Sequence, residues 1–408
     1  MGAMTTLNQV TISVLEASYL GCWRVNMMDW LRFPLRDWSR LPDDVIALII
    51  SRINTVEDLI VFSAVCQSWR SVAVKEYLIR RIQLPWLMLG ENHSDETRGF
   101  FSIYTNKRYN VTLPNMSGRR CWGSQYGWLL VLEFNRQFYL FNPLTRVRLD
   151  LPPKPIFMGE FDHDDRNNRS ASVPGFVRKA CVFRDEPVQG TTQDQFMVVA
   201  IGNVSGNLAL ARPGEQNWIQ VRTPFGRIES AAWCNGKLFI VLGTGTLLCC
   251  ERDEFGRFEA KHFASQLENA RLWDNISLVE YRGDLLLVFR YFSDENSKNW
   301  HKTKHFDVHK LDFETKEWIE MDDLGDCSLF IDADNSAMAL CTLEVENCKR
   351  NCIYFVEKYW DKRSRYLGGH DMGVFNMVDG WIEPYFISDA SSLYVKHSNP
   401  IWVMPSLC

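Results

Sequence analysis

The sequence predicts a mainly β protein with a small helical domain in front of it. Residues 38–84 contain three short segments in which apolar side chains recur at helical spacing. From Pro85 onward this spacing nearly disappears, and short apolar runs alternate with turn residues. Hairpin-like units then recur at intervals of roughly 40 to 70 residues. The 25 Phe, 15 Trp and 13 Tyr residues also favour strands and thick packed layers.

Residues 1–37 are predicted to be a disordered leader. Their apolar run is interrupted by Glu16 and Ser18 and lacks a basic start, so it is not a convincing secretory signal. No segment approaches about 18 consecutive apolar residues, so no membrane span is expected. The 12 cysteines are irregularly spaced and form no C-x-x-C motif. They indicate reduced thiols, as in a protein of the cytoplasm or nucleus.

The first predicted helix begins at Pro42, which suits the first turn because its missing N–H costs nothing there. Asp43 and Asp44 then lie at the positive end of the helix dipole. Apolar residues follow on one broad face: Val45, Ile46, Ile49, Ile50 and Ile53. Thr55 and Asp58 have the spacing of a capping box and start a second helix. A third helical segment begins near Gln67.

This helical block of roughly 40 residues is too small to be stable alone. Its apolar surface must face either the rest of the chain or another protein. Periodicity alone leaves two alternatives open. The block is either a helical cap packed on the following domain or a module that binds a partner.

The residues of this block resemble an F-box in order and spacing. The resemblance rests on Leu41-Pro42, on Asp58-Leu59 and on Val65-Cys66-x-x-Trp69-Arg70, with isoleucines between them. It implies docking to the Skp-type adaptor of a cullin–RING ubiquitin ligase by burial of apolar anchors in a groove. The resemblance implies that seven residues supply or shape the adaptor-facing surface, namely Leu41, Pro42, Ile46, Ile49, Val65, Cys66 and Trp69. Ile53 and Phe62 are expected to pack internally.

Residues 85–408 are predicted to form a kelch-like β-propeller of six or seven blades. Five turn sequences separate β-forming segments, namely NPLT, RPGEQN, RDEFG, DFETKE and MVDG. Further strands precede most of these hairpins, which makes four-stranded sheets. Radial closure of such sheets hides their edge strands. A β-sandwich is the alternative, but this many hairpins would overfill it.

The two ends of this region are predicted to pair. The segment SSLYVKHSNPIWVMP (391–405) could add a strand to PWLMLG (85–90) and so close the ring. The segment GSQYGWLLVLEFNRQFYLFNPLTRVRLDLPP (123–153) and later blocks are similar to a plant family of F-box proteins with a kelch-like propeller. This second resemblance implies a plant source.

The sequence offers little sign of bond chemistry. The net charge of −5 and pI of about 6.0 argue against a general nucleic-acid or anionic-membrane binder. His301, His305 and His309 are four apart, but they run from a polar loop into a strand, so no metal site is expected. Gly243-Thr244-Gly245 lies between strands and is predicted to be a turn. No cofactor or catalytic signature is evident.

Long polar insertions are the candidates for substrate recognition, because loops on a rigid scaffold commonly carry binding residues. They are residues 158–175, 291–305 and 357–370, which place aromatics among charges. The candidate substrate-binding residues are Phe161, Tyr291, Phe292, Trp300, Tyr359, Trp360 and Tyr366. Ordinary blade insertions without a binding role are the alternative.

Together these features predict the substrate-recognition subunit of an SCF-type ubiquitin ligase. The chain would be non-catalytic and would bring an unidentified protein substrate close to the ubiquitin-charged enzyme. One alternative is an adaptor-bound scaffold or inhibitor of other ligases that ubiquitinates nothing. Another is a propeller enzyme with a helical cap, which would need a funnel lined with His and carboxylate side chains.

Overall fold

The computed structural model describes residues 37–53, 56–80, 84–89, 96–133, 135, 137–153, 177–185, 195–202, 206–254, 257–267, 276–293, 302–332, 337–343, 348–356, 371–384 and 400–407. The leader predicted over residues 1–37 lies outside these ranges except for its last residue, and its predicted disorder stays a prediction.

Three helices form the amino-terminal domain, as predicted. A 3-10 turn (Trp38–Arg40) precedes α1 (Asp43–Ile50), α2 (Val56–Ser63) and α3 (Gln67–Arg80). Their shared core consists of Ile46, Ile50, Leu59, Val72 and Ala73. Thr55 of the predicted capping box lies outside the described residues. None of the described helices is both long and apolar enough to cross a membrane.

The described strands form six sheets arranged as a β-propeller, so the lower of the two predicted blade numbers is correct. Blade 1 contains β25 (Ile401–Val403), β1 (Trp86–Met88), β2 (Thr97–Ser102) and β3 (Lys107–Thr112). Blade 2 contains β4 (Arg120–Trp122), β5 (Leu129–Leu132), β6 (Phe138–Phe141) and β7 (Arg148–Asp150). Blade 3 contains β8 (Val177–Asp185), β9 (Gln195–Gly202), β10 (Leu208–Ala211) and β11 (Ile219–Val221).

The other three blades follow the same order from the axis outward, with one exception. Blade 4 contains β12 (Ile228–Cys234), β13 (Lys237–Leu242), β14 (Leu247–Arg252) and β15 (Phe258–Ala264). Blade 5 contains β16 (Ile276–Tyr281), β17 (Asp284–Phe292), β18 (Thr303–Leu311) and β19 (Trp318–Met321). Blade 6 has five strands: β21 (Ala337–Cys341), β20 (Cys327–Ile331), β22 (Cys352–Phe355), β23 (Gly373–Asn376) and β24 (Ile382–Pro384).

All five predicted turn sequences join the last two strands of a blade. Three of these turns share one hydrogen-bond pattern, in which Asn142, Asp312 or Asn376 accepts at its side chain from the backbone N–H two residues later. The fourth residue after each then has positive φ, which Gly380 adopts freely and Arg146 and Lys316 adopt against side-chain sterics. A repeated local rule therefore builds these hairpins.

The predicted ring closure is confirmed. β25 pairs antiparallel with β1, and Trp402 lies opposite Leu87. The Trp402 indole N–H donates to the carbonyl oxygen of Ile331 in blade 6 at 3.2 Å, and its ring meets Phe330 edge-on with centroids 5.4 Å apart. The last strand of the chain therefore joins the first blade to the sixth.

Blade 6 departs from the predicted pattern of two leading strands and a hairpin. β20 pairs in parallel with β22, and β21 folds back antiparallel to β20 at the edge of the sheet. The inner strand β16 of blade 5 contacts both β12 and β21, so β21 occupies the axial position of blade 6. A strand pair inserted between blades 5 and 6 therefore takes the place of the usual inner strand.

The core of the propeller lies between neighbouring blades. Six apolar clusters fill the six interfaces, and each contains at least eleven buried residues. The ten cysteines within the described ranges are all free thiols in the structure, and their reduced state in the cell stays a prediction.

Candidate functional site

The first helix has one face inside the domain and another open to solvent. Ile46 and Ile50 are completely buried in the helical core. Val45, Leu48 and Ile49 are 37%, 63% and 37% exposed, and their i, i+3, i+4 spacing places them side by side on the helix. We call these three side chains the α1 patch. Its apolar surface is what a partner could cover.

Two contacts fix the approach to α1. The Trp69 indole N–H donates to the Trp38 carbonyl oxygen at 3.0 Å, and the Trp69 ring stacks on Phe62 with centroids 4.3 Å apart. Trp69 thereby ties the 3-10 turn to α3. Trp38 and Val65 are themselves 60% and 58% exposed, so the helical domain presents apolar surface beyond the α1 patch.

The seven predicted adaptor residues divide by exposure. Pro42, Ile49 and Val65 are exposed, whereas three others are half-buried: Leu41, Cys66 and Trp69. Ile46 has no exposed surface, so it can support the adaptor-facing surface from beneath but cannot contact a partner. Its place on the surface is taken by Val45 and Leu48, which the sequence analysis did not select. The i, i+3, i+4 spacing of the α1 patch is the signal that could have found them.

The helical domain is also anchored to the propeller, through its other side. Ile60 of α2 packs against the apolar cluster between blades 1 and 2. Leu407, four residues beyond β25, packs against the helical core. Of the two alternatives left open by periodicity, the packed cap is therefore correct, and partner binding stays a prediction. The domain is a cap packed on the propeller, and it still exposes the α1 patch.

The carboxyl-terminal tail makes this anchor. The Met404 N–H donates to the Ser124 carbonyl oxygen at 2.9 Å, and the Asn142 side-chain amide donates to the Ser406 carbonyl oxygen at 3.1 Å. Gly127, at φ +84°, has no room for a side chain, since a Cβ there would lie 2.0 Å from Cβ of Ser406. The tail is therefore held close against blade 2 on its way to the helices.

The propeller has two distinct ends. In a four-stranded antiparallel blade, the connections between strands 1 and 2 and between strands 3 and 4 lie at one end, and the other connections lie at the opposite end. The helical domain adjoins the first of these ends, because β1 starts there, paired with the end of β25. We call the opposite end of the ring the far end. The strands that flank each predicted insertion have their adjoining termini there, and these insertions are 158–175, 291–305 and 357–370.

Two of the seven predicted substrate-binding residues lie within the described ranges. Phe161, Trp300, Tyr359, Trp360 and Tyr366 lie outside the described residues. Tyr291 and Phe292 were predicted to be loop aromatics, which is wrong, because both belong to β17 and are half-buried. The guanidinium carbon of Arg290 lies 5.1 Å from the centroid of the Phe292 ring. The ring centroids of Tyr291 and His305 are 6.4 Å apart.

A buried ion pair holds the strand ends of blades 5 and 6 together at the far end. Arg290 is 4% exposed and bonds the Asp371 carboxylate at 2.9 Å, the Thr303 hydroxyl at 2.8 Å and the Val356 carbonyl oxygen at 2.9 Å. The Thr303 N–H donates to Asp371 at 2.8 Å. Every charge in this network is paired and hydrogen-bonded, as burial requires.

Phe225 is a far-end residue that the sequence analysis missed. Its side chain is 92% exposed in the link from β11 to β12. The link itself is fixed, because the Gly206 N–H donates to the Gly226 carbonyl oxygen at 2.9 Å and the Gly243 N–H donates to that of Arg227 at 2.7 Å. A rigidly mounted, solvent-facing aromatic side chain is the kind of anchor that protein interfaces use. No periodic pattern could have marked it.

The central channel is narrow. Inner strands of four blades and the segment that follows β4 line a cavity of about 60 Å³. The almost fully buried Lys179 projects into it, with its Nζ 3.4 Å from the Ser230 hydroxyl oxygen. Sites for small organic ligands usually measure about 300–1,000 Å³. This cavity has room for a few water molecules only.

The described histidines do not assemble a metal site. His305 and His309 lie in β18, as expected for a strand, and His301 lies outside the described residues. His305 Nε2 is 2.8 Å from a carboxylate oxygen of Asp307. Burial lowers the pKa of His309. Within the described ranges, no group of three or more His, Cys, Asp or Glu side chains is placed to hold a metal ion.

Two family models match the chain. The model described as KIB1-4 beta-propeller matches residues 100–376, and the model described as F-box-like matches residues 38–85. The Arabidopsis thaliana F-box protein SKIP23 is 24% identical over 386 residues, which cover 85% of this chain and 91% of SKIP23. The F-box protein At2g17036 of the same plant is 23% identical over 386 residues, covering 86% of this chain and 90% of that protein.

Proposed function

Because the chain belongs to the KIB1-4 β-propeller family and carries an F-box-like domain, we propose that it is the substrate-recognition subunit of an SCF-type ubiquitin ligase. The helical domain docks a Skp-type adaptor and, through it, a cullin–RING complex. The propeller holds a protein substrate. The observation that carries this proposal is the exposed α1 patch on a domain whose opposite side is already packed against the ring.

The adaptor covers the α1 patch. A helix that lays apolar residues at i, i+3 and i+4 into a groove on a partner buries them together, and the removal of this surface from water drives binding. Val45, Leu48 and Ile49 have this spacing and this exposure. Pro42 and Val65 are exposed in the same domain and extend the contact.

The substrate binds at the far end. Phe225 is exposed there on a hydrogen-bonded link, and the Arg290 ion pair fixes the ends of strands in two neighbouring blades. Rigid placement lowers the entropy lost on binding, so an anchor of this kind gives affinity at low cost. The substrate then lies on the side of the ring away from the adaptor.

The chain contributes proximity and no bond chemistry of its own. It holds the substrate near the ubiquitin-charged enzyme and so converts a bimolecular encounter into an intramolecular one. The cavity among the inner strands could not admit a substrate of ordinary size, so this cavity is not the active site of a propeller enzyme. We place the complex in the cytoplasm or nucleus, where thiols stay reduced.

The adaptor contact is tested with two leucines of equal exposure. Leu48 in α1 and Leu343 in blade 6 are both 63% exposed. In binding measurements between the full chain and a Skp-type adaptor, Leu48→Ala is expected to weaken affinity by about tenfold or more, as at an interface hot spot. Leu343→Ala is expected to leave affinity unchanged. Equal affinities for both variants would contradict the proposed docking surface.

The substrate end is tested with two exposed aromatics. Phe225 lies at the far end, whereas Trp381, which is 69% exposed, lies in a turn at the helical end. Proximity labelling in plant cells with the proteasome blocked should lose substrate proteins in Phe225→Ala and keep them in Trp381→Ala. If the labelled proteins do not accumulate when the gene is deleted, the chain is an adaptor-bound scaffold and not a degradative receptor.

A further inference from the structure

Two cysteines lie directly opposite each other in blade 6. Cys327 of β20 is the register partner of Cys341 of β21. The Cys327 N–H donates to Leu324 and its carbonyl oxygen accepts from Asn351, so both backbone groups of Cys327 point away from β21. This is the mark of a non-hydrogen-bonded pair, in which opposite Cα atoms are only about 4.5 Å apart.

That arrangement suits a disulfide. Side chains of opposite residues project from the same face of a sheet, and a disulfide needs Cα atoms roughly 4.4–6.8 Å apart. The shared face is the one toward blade 5, because Leu329 and Ile331 of β20 and Ala337 and Ala339 of β21 all pack into the cluster between blades 5 and 6. The two sulfur atoms can therefore meet without a change of strand register.

The two thiols have different surroundings. Cys327 is 1% exposed, whereas Cys341 is half-buried at the edge of the cluster. Burial raises the pKa of the Cys327 thiol to about 12, so it is unreactive toward solutes in bulk water. An oxidant from solution therefore meets Cys341 first.

Cys341 also has a polar environment that supports reaction at sulfur. Arg282 Nη2 lies 3.1 Å from Sγ, and the Cys341 thiol donates to Oδ2 of Asp326 at 3.5 Å. Arg282 Nη1 and the Tyr281 hydroxyl hold the same carboxylate at 2.9 and 3.0 Å. The guanidinium can stabilise the negative charge that develops on the departing oxygen of an oxidant attacked by the sulfur, and the carboxylate holds the guanidinium and the thiol in place.

We propose that Cys341 and Cys327 form a peroxide-sensitive dithiol. The Cys341 sulfur attacks one oxygen of hydrogen peroxide, the O–O bond breaks, and the products are a Cys341 sulfenic acid and one water. The Cys327 sulfur then attacks the Cys341 sulfur, the S–O bond breaks, and the second water leaves. Two thiols and one hydrogen peroxide thus give one disulfide and two waters.

The disulfide changes the contact between blades 5 and 6. Its formation removes the hydrogen bond that the Cys341 thiol donates to Asp326. It also moves the Cys341 sulfur away from Arg282 and toward Cys327. It also joins β20 to β21, the inserted strand pair that occupies the axial position of blade 6. This inference does not depend on the proposed ligase function.

The test uses the reduced full chain treated with hydrogen peroxide, followed by alkylation and digestion. Residues 317–349 contain no internal Lys or Arg, so trypsin leaves both cysteines in one peptide with Cys348. A second cleavage at acidic residues separates them, because Asp332 and Asp334 lie between Cys327 and Cys341, and Glu344 and Glu346 lie before Cys348. Mass spectrometry is then expected to find Cys327 linked to Cys341, reversibly on addition of dithiothreitol.

Three variants separate the steps. Cys341→Ala should abolish the link. Cys327→Ala should leave a sulfenic acid on Cys341 that dimedone traps. Arg282→Met keeps both cysteines, changes only an exposed side chain and should slow the oxidation of Cys341 several-fold. The matched control is Cys250, a buried strand cysteine that lies opposite Leu238 and Ala260, so Cys250→Ala should leave the link intact.

Specific results would overturn the proposal. Oxidation at Cys341 is expected to be about tenfold faster than at the buried Cys250, so equal rates would contradict it. A link from Cys341 to Cys348 in place of Cys327 would also contradict it. So would an unchanged oxidation rate in Arg282→Met, a variant whose folding can be checked by its circular dichroism.

Discussion

The helical domain and the propeller treat apolar surface in opposite ways. The helical core contains five buried residues, whereas each interface between blades contains at least eleven. Within the described ranges, five exposed large apolar side chains occur in the short helical domain, and six are spread over the much longer propeller. A closed ring covers both faces of every blade, but three short helices cannot cover all of theirs. The surface left over on the smaller region is the one that we propose an adaptor covers.

The largest effect is expected where the ring closes. Trp402→Ala removes a side chain that is 4% exposed and spans blades 1 and 6, so it should lower the free energy of unfolding by about 3–5 kcal/mol. Trp381→Ala, at 69% exposure, should change it by less than about 0.5 kcal/mol. Urea unfolding followed by fluorescence of the remaining tryptophans measures both. Similar losses would mean that ring closure contributes little to the stability of the propeller.

Loss of the buried ion pair is expected to have the next largest effect on the stability of the propeller. Arg290→Met leaves the Asp371 carboxylate buried without its counter-charge, which is expected to cost about 3–5 kcal/mol of stability. In the double variant with Asp371→Leu, much of this loss should return, because no unpaired charge remains. The same urea titration decides the outcome. A double variant that is less stable than Arg290→Met would show that the network has a role beyond charge pairing.

Two isoleucines on α1 sharpen the comparison within the helical domain. Ile46→Val removes a methyl group from the core and should lower stability by about 1 kcal/mol. Ile49→Val makes the same chemical change at a side chain that is 37% exposed, and stability should change by less than about 0.5 kcal/mol. Thermal unfolding of the full chain compares the two. If Ile49→Val were the more destabilising variant, the assignment of the α1 patch as free surface would be wrong.

The smallest effect concerns pH. Burial lowers the pKa of His309 below its ordinary value near 6.5, so the unfolded chain takes up this proton before the folded chain does. The contribution of neutral His309 to stability is complete above pH 6.5 and is lost as the pH falls below that value. Between pH 7.5 and 5.5, His309→Gln should therefore lose less stability than the natural chain. Urea unfolding at both values tests this, and an equal loss would place the pH dependence elsewhere.

Local chemistry made much of the fold predictable. The turn residues that begin with Asn142, Asp312 and Asn376 dictate hairpins within a few residues, and the predicted hairpins are all present. The pairing of the two chain ends was predictable because an open ring would leave a strand edge exposed. These features depend on rules that operate within a turn or at a sheet edge.

Other features depend on contacts that no local pattern encodes. The parallel pairing of β20 with β22 joins two strands that β21 separates along the chain. No local pattern marks this pairing, so blade 6 was expected to have the ordinary four strands. Ile46 and Ile49 both belong to one broad apolar face, and only the packing of α3 determines that Ile46 is the buried one. Phe225 carries no periodic signal at all, since it is exposed in a link between blades.

The closing strand also bears on how the chain is made. β25 is synthesised roughly 300 residues after the β1 strand with which it pairs. At ordinary translation rates this interval is on the order of 15–60 s, and for most of it the apolar flank of blade 1 that packs against blade 6 has no partner. Until β25 and blade 6 have been made, the nascent chain carries this apolar flank uncovered, which makes it a natural client for chaperones.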